Sequence, residues 1–235
     1  MRLGLVRCGT VGSGLVWSGK VWCGMVKRWW RGQLRPRHQH ILNERQNMIY
    51  KASVTLEGTS DILFHVWNCD VVEQKSKSPK NSARRKTDDP EDQVMRDEHG
   101  VLCIPAEYLR GSIANAGRSV PDPRSARKSC YDLVRASIIV SPPLAQISAG
   151  GHAKTSWDYI HKARVRVNPS GAITRQRPAV HKGWMASFQI ECLAGEYITP
   201  ELLRELVERA GMHVGLGDFR PIYGRFRIVN FEVLK

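Results

Sequence analysis

The sequence lacks most of the patterns that announce a metal or cofactor enzyme. Its six cysteines, Cys8, Cys23, Cys69, Cys103, Cys130 and Cys192, form no C-x-x-C pair, and its eight histidines form no H-x-x-x-H or H-E-x-x-H pattern. A reducing compartment is therefore expected, with no structural zinc and no cofactor. No G-K-[S/T] is present in a glycine loop, which excludes a Walker-type phosphate loop. No apolar run approaches the roughly 18–20 residues that a membrane span needs, so no membrane partner is expected.

Acidic residues are also in short supply. Against 36 Lys and Arg stand 22 Asp and Glu, a formal net charge of +14 over 235 residues. The excess is uneven, with residues 1–47 contributing +8 and residues 48–235 contributing +6. A moderately basic body suits a polyanion partner, although many solvated surfaces share that balance.

Residues 1–47 differ from the rest. The pattern V-x-[C/S]-G-x-V occurs at Val6–Val11, Val16–Val21 and Val21–Val26, too short and too few to be a solenoid. Arg2 and Arg7 precede valines and glycines as in a signal peptide, but Lys20 and the tryptophans break the apolar stretch. The expectation is a disordered extension or an upstream translation start, with Met48 the natural start. The alternative is a basic aromatic arm using Trp29, Trp30 and Arg31.

From residue 48 the patterns become regular. In 48–58, Tyr50, Ala52, Val54 and Leu56 alternate with Lys51, Ser53 and Thr55, which predicts a half-buried strand closed by Gly58. The piece at 61–68 reads as strand or helix. Residues 73–92 are charged and almost free of apolar residues, a flexible insertion or a loop that orders on contact. Residues 93–105 predict a hairpin turning at Glu98-His99-Gly100. Residues 105–119 predict a helix, with Pro105 in its first turn and Leu109, Ile113 and Ala116 on one face. Residues 129–144 begin helical and end as a strand.

Residues 158–184 predict a second hairpin, turning at Pro169-Ser170-Gly171. It carries Arg164, Arg166, Arg175 and Arg177, with Lys182 nearby. Two adjacent strands would thus present one basic stripe to a phosphate backbone. A strand over 184–193 follows, then a helix over 199–211 with Thr199 as N-cap, Pro200 at its first position and Gly211 as its stop. The last strand covers 225–234. The predicted fold class is α+β, a ferredoxin-like antiparallel sheet backed by helices.

Between that helix and the last strand lies GLGDFRPIYGRF, residues 215–226. A dinucleotide fingerprint is excluded, because the glycines follow a helix and precede a strand. Two readings remain. In one, Gly215, Gly217 and Gly224 serve a plain turn. In the other, backbone N–H groups, Arg220 and Arg225 meet phosphates while Phe219 and Tyr223 stack on bases. Asp218 caps the turn or holds a metal, the cap being preferred.

This helix–glycine loop–strand arrangement resembles the glycine-rich loop of the RAMP superfamily, the ferredoxin-like RNA-binding proteins of CRISPR systems. The stretch 103–118 also resembles a segment near the front of the RAMP proteins that form the CRISPR effector backbone, through Ile104, Pro105, Leu109, Arg110, Gly111, Ile113 and Arg118. Two features depart from that pattern. Glu107 and Tyr108 stand where small residues are usual, and the loop ends in a single Gly224. The stretches Phe64–Asn68, Ile104–Arg110 and Asp218–Phe226 are further similar to uncharacterised tailed-phage proteins. The resemblance spans about residues 48–235.

It implies one RAMP-like domain from residue 48 that binds RNA or single-stranded DNA in the bacterial cytoplasm. A homo-oligomer along the strand is the assembly it implies. The expected binding residues are Arg164, Arg166, Arg175, Arg177, Lys182, Arg220 and Arg225, the loop residues Gly215, Gly217, Phe219, Tyr223 and Gly224, and Arg110. Two alternatives stand beside it. One is a metal-independent endoribonuclease using His152, His161 or His181 with Lys182. The other is a phage assembly protein that binds no nucleic acid.

Overall fold

The computed structural model describes residues 49–66, 89–168 and 171–234, with the isolated positions 69, 73, 76, 77 and 79. All belong to the unit Asn47–Lys235. The expectations for residues 1–47 fall outside the described residues, as do those for most of 73–92.

In chain order the strands and helices are β1 (Tyr50–Gly58), β2 (Ile62–Leu63), β3 (Met95–Arg96), β4 (Leu102–Pro105), α1 (Ala106–Ala116), β5 (Pro121–Asp122), β6 (Ser125–Ser129), α2 (Tyr131–Ser137), β7 (Ile138–Ser141), β8 (Leu144–Gln146), β9 (Ser148–Ala149), β10 (His152–Ala153), β11 (Tyr159–Asn168), β12 (Gly171–Val180), β13 (Met185–Cys192), α3 (Pro200–Arg209) and β14 (Phe226–Leu234). The fold is α+β and its sheets are antiparallel.

The main sheet is built on β1. It pairs with β13 on one side and β14 on the other, and β7 pairs with the far side of β13. The alternation predicted for β1 is realised: Ala52, Val54 and Leu56 are fully buried. On β13, Ala186, Phe188, Ile190 and Cys192 extend the same apolar face. Helices α1 and α3 cover it with Leu109, Ile113, Leu203, Leu206 and Val207. Each such aliphatic side chain removed from water stabilises the fold by about 1.5–3 kcal/mol.

Local chemistry sets the ends of these elements. The Thr199 side chain accepts a hydrogen bond from Leu202 N, the N-cap expected from the sequence. The expected stop at Gly211 is corrected. The chain continues through a wide turn over Ala210–Val214, and the left-handed residue is Gly215, at φ 79°. Gly211 is there for closeness, since a Cβ on it would lie 2.2 Å from the Phe226 carbonyl oxygen. Gly58 has the same reason, with Trp184 2.0 Å from where its Cβ would be.

Two smaller sheets complete the picture. β3–β4–β8 contains the hairpin predicted at 93–105, and β11–β12–β2 contains the arginine-rich hairpin. The ambiguous stretch at 61–68 supplies β2, which pairs with the end of β12 through Ala179↔Leu63 and Val180↔Ile62.

Candidate nucleic-acid interface

The register of β11 and β12 decides where its arginines point. Arg164 lies opposite Thr174, Arg166 opposite Ala172, Ala163 opposite Arg175 and His161 opposite Arg177. Directly opposed residues share a face of an antiparallel pair. Arg164 and Arg166 therefore occupy one face, and Arg175 and Arg177 the other. The single basic stripe expected from the sequence is corrected to two faces of different character.

The first face is the exposed one. Ile160, Lys162, Arg164 and Arg166 on β11 are all exposed, across from Pro178, Gln176, Thr174 and Ala172. Neither β11 nor β12 carries an acidic residue. Lys162 and Arg164 form no hydrogen bond or ion pair with any described residue. Two residues of strand advance the chain by about 6.6 Å, so the three cations form an evenly spaced row. Lys162 was not among the expected binding residues, although its period-two spacing from Arg164 and Arg166 was visible in the sequence.

The second face is turned inward, onto the glycine loop. Arg177 is 4% exposed. Its Nε donates to Asp218 Oδ2 at 2.7 Å and its Nη1 to Gln93 Oε1 at 2.8 Å. A guanidinium so placed holds the hairpin to the loop and does not reach a ligand. Burial alone would raise the Asp218 carboxyl. The Arg177 and Phe219 N–H groups and the charges of Arg177 and His65 outweigh it and hold the carboxyl below its usual value. Asp218 also accepts from Phe219 N at 2.9 Å, the turn cap expected of it. His161 sits between Phe219 and Tyr223, with ring centroids 5.6 and 5.0 Å away. Both expected base stackers thus already face a ring of their own chain. Arg175 is half-buried on this face.

The glycine loop spends most of its backbone donors inside the protein. Leu216 N donates to Gly224 O, Asp218 N to Leu63 O, Gly224 N to Asp61 O and Arg225 N to Ser60 Oγ, at 2.7–2.9 Å. A Cβ on Gly217 would lie 2.3 Å from Leu63 O, and one on Gly224 1.7 Å from Leu216 O. The glycines are there for close packing of loop on strand. What the loop offers to solvent is its tip, Arg220, Pro221 and Ile222, together with Arg225.

Arg110 has work of its own. It donates to Ile138 O at 3.1 Å and Arg135 O at 2.7 Å, tying α1 to the end of α2, and to Glu107. The departures at 107 and 108 are accounted for by packing: Glu107 pairs with Arg110, and the Tyr108 hydroxyl donates to His65 O at 2.7 Å.

Lys182 is exposed at the hairpin base, beside a small polar cluster. Asp61 accepts from the Tyr159 hydroxyl at 2.8 Å and from Lys182 N at 2.9 Å, and His181 Nδ1 lies 3.5 Å from it. Burial raises Asp61, but these donors and the His181 charge outweigh it and hold the carboxyl low. His152, on β10, is exposed. Among the described residues no cluster of His, Cys, Asp and Glu could hold a metal ion.

The open face of the main sheet is the other place where a strand could lie. There Lys51 pairs with Glu191 and Arg227 with Glu57, and Glu232 adds a further acid. A cavity of about 610 Å³ opens beside it, lined by Thr55, Asp97, Gln146, Ile147, Met185 and Ser187 among others. No cation lines it, and Asp97 makes it unsuited to a phosphate.

No family model matches the chain, and no curated protein matches it. Among solved structures it is similar to a chain in the cryo-EM structure of the Type III-B Cmr-beta bound to cognate target RNA. That match has a TM-score of 0.47 and 12% identity, over 92% of this chain and 75% of the other. It is also similar to Cmr6 from Pyrococcus furiosus, with a TM-score of 0.42 and 13% identity, over 78% of this chain and 99% of the other.

Proposed function

We propose that the protein binds RNA or single-stranded DNA, without cutting it, along the exposed face of β11 and β12. One observation carries the reading: Lys162, Arg164 and Arg166 stand in a row on strands β11–β12, neither of which carries an acidic residue. Lys162 and Arg164 have no partner among the described residues, which leaves them for something outside the chain. Arg220 and Arg225 at the loop tip and Lys182 at the hairpin base add exposed charge. The strand order β14–β1–β13–β7, with a helix on each crossover, supports a ferredoxin-like reading of the main sheet. The resemblance of 103–118 and 215–226 to RAMP proteins favours RNA over DNA and assembly along the strand. A single domain from residue 48 rests on the same resemblance, and a phage or mobile-element origin on the similarity of Phe64–Asn68, Ile104–Arg110 and Asp218–Phe226 to uncharacterised tailed-phage proteins.

The test is the salt dependence of binding. Each phosphate contact on a single strand contributes about −0.7 to the slope of log affinity against log salt. Removing three should flatten the slope by about 2, and cut the loss between 50 and 200 mM salt by about 20-fold. The full chain and its Lys162→Ala/Arg164→Ala/Arg166→Ala variant would be titrated with a labelled 30-nucleotide RNA and its DNA counterpart. An unchanged slope in the variant removes this face as the site.

A cleavage reading has one observation in its favour. The carboxylate of Asp61 lies 3.5 Å from His181 Nδ1, which leaves Nε2 of an exposed ring as a base. A His181→Ala variant that still binds but no longer cuts an RNA which the parent cuts would establish it.

A further inference from the structure

A second group of cations lies on the small hairpin β5–β6 and the turn before it. Arg118, Arg124, Arg127 and Lys128 are all exposed there. The hairpin adds almost nothing to the core. Of residues 121–129 only Asp122 is buried, and its carboxylate serves Arg124.

Two of these cations are braced from behind. Arg124 Nε and Nη2 donate to Asp122 at 3.0 and 2.7 Å, and Arg124 N donates to the same carboxylate at 2.8 Å. Its guanidinium stands 5.7 Å from the Tyr197 ring, which is 39% exposed. Arg118 Nε donates to Asn115 Oδ1 at 3.1 Å, and its guanidinium lies 4.3 Å over the Tyr131 ring. Each keeps an outward edge of N–H donors, fixed in place before any ligand arrives. Arg127 and Lys128 form no ion pair with a described residue. Glu107 and Asp132 are the exposed acids nearest in sequence on either side, so the four cations outnumber them.

Long cationic side chains lose rotamer entropy when held. A braced guanidinium repays that cost when it meets a planar, doubly accepting anion, because less freedom remains to be lost on binding. Tyr197, 39% exposed, adds a face on which a base can stack. A phosphodiester strand offers both phosphates and bases.

We propose that the β5–β6 hairpin, with Arg118, Arg124, Arg127 and Lys128, is a second phosphate-binding surface, and that one nucleic-acid strand contacts the chain both there and on β11–β12. This rests on the function proposed above for β11–β12. The two surfaces belong to different parts of the fold: β12 pairs with β2, and β6 packs on the turn at Gly117–Ser119.

The experiment separates the two. The salt slope for the 30-nucleotide RNA would be measured on the full chain, on Arg127→Ala/Lys128→Ala, on the β11 triple variant, and on all five changes together. Arg127 and Lys128 make no hydrogen bond or ion pair with a described residue, and Lys128 acts on Asp122 only through its charge, so the double variant should melt close to the parent's temperature. The expected result is a slope flattened by about 1.4 in the double variant, about 2 in the triple, and about 3.5 in the combination. An unchanged slope in the double variant beside a flattened one in the triple overturns this proposal and leaves the β11–β12 reading standing. A flattened slope in the double alone refutes the β11–β12 placement and keeps β5–β6 as the site. No binding by the parent chain at low salt refutes both. Displacement of the RNA by poly-glutamate as readily as by a second RNA, lost in the double variant, would assign β5–β6 to an acidic protein and overturn the proposal.

Discussion

Breaking the Arg177–Asp218 pair should cost stability, and should leave nucleic-acid affinity unchanged. Arg177 is 4% exposed, and its Nε lies 2.7 Å from Asp218 Oδ2. Removing one partner of a buried pair costs about 3–5 kcal/mol, because a charge is left in a poorly solvating site. The Asp218 side chain is 32% exposed, so water reaches part of the site and the lower figure, about 3 kcal/mol, applies. Asp218→Asn is the clean perturbation: it removes the charge and keeps an oxygen for the Phe219 N–H. With an m-value of about 2 kcal/mol per molar urea, the midpoint should fall by about 1.5 M. Adding Arg177→Met removes the stranded cation, so the double variant should recover part of that loss. The pH dependence follows from the depressed carboxyl. The pair's stability is fully present above about pH 4, the unfolded value, and is lost as pH falls through the lower folded value. Parent and Asp218→Asn midpoints should therefore converge in acid. A midpoint shift below about 0.3 M, or a double variant as unstable as the sum of the singles, would refute the reasoning. At low denaturant, where the variant stays folded, its affinity for RNA should match that of the parent.

Three other changes test separate parts of the structure. Ser112 Oγ is buried on α1 and has no hydrogen-bond partner, so Ser112→Ala should raise stability by about 1 kcal/mol, read as a higher urea midpoint. Gly224→Ala places a Cβ 1.7 Å from Leu216 O at φ 74° and should cost at least ~3 kcal/mol, whereas Gly100→Ala, at φ 76° with nothing within 4 Å, should cost about 1 kcal/mol; equal costs would mean that strain rather than packing dominates. The Asp122 carboxyl, brought down to about 2 by the hydrogen bonds and charge of Arg124, should titrate near there by NMR and move back toward about 3.9 in Arg124→Ala, provided that the bracing is real in solution.

The elements were legible wherever one face of them is buried. The alternation of Ala52, Val54 and Leu56, the spacing of Leu109 and Ile113, and the Thr199-Pro200 start all gave the correct element, because burial fixes period two in a strand and period 3.6 in a helix. The hairpin was legible as a hairpin, and its faces were not. Which residues of two strands share a face depends on register, and a slip of one residue exchanges the faces. The shift between Arg166 and Asn168 near the turn is the kind of detail that sets this parity, and no local pattern announces it. Arg177 was likewise misplaced, because its partner Asp218 is 41 residues away and only the folded chain brings them together. The glycine loop misled for a related reason: Gly217 and Gly224 look suited to phosphate contact, yet their room is taken by Leu63 and Leu216.

A count of arginines therefore says little about where this chain would meet a polyanion. Arg110 and Arg177 are as basic in sequence as Arg164, but the first is bonded to carbonyls of α2 and β7 and the second to a carboxylate. The β14 edge of the sheet carries Arg227, and Glu57 answers it. What distinguishes β11 is that neither it nor its partner β12 carries an acid to answer Lys162 and Arg164. An exposed cation without a partner gains nothing from its own chain, and it adds to the self-repulsion of a molecule that already carries net charge +14. Gathering cations into a row on β11 is unfavourable for folding alone. It becomes favourable when released counterions and phosphate contacts enter the balance. That is why the salt slope, rather than affinity at one condition, reads the feature on which the functional reading depends.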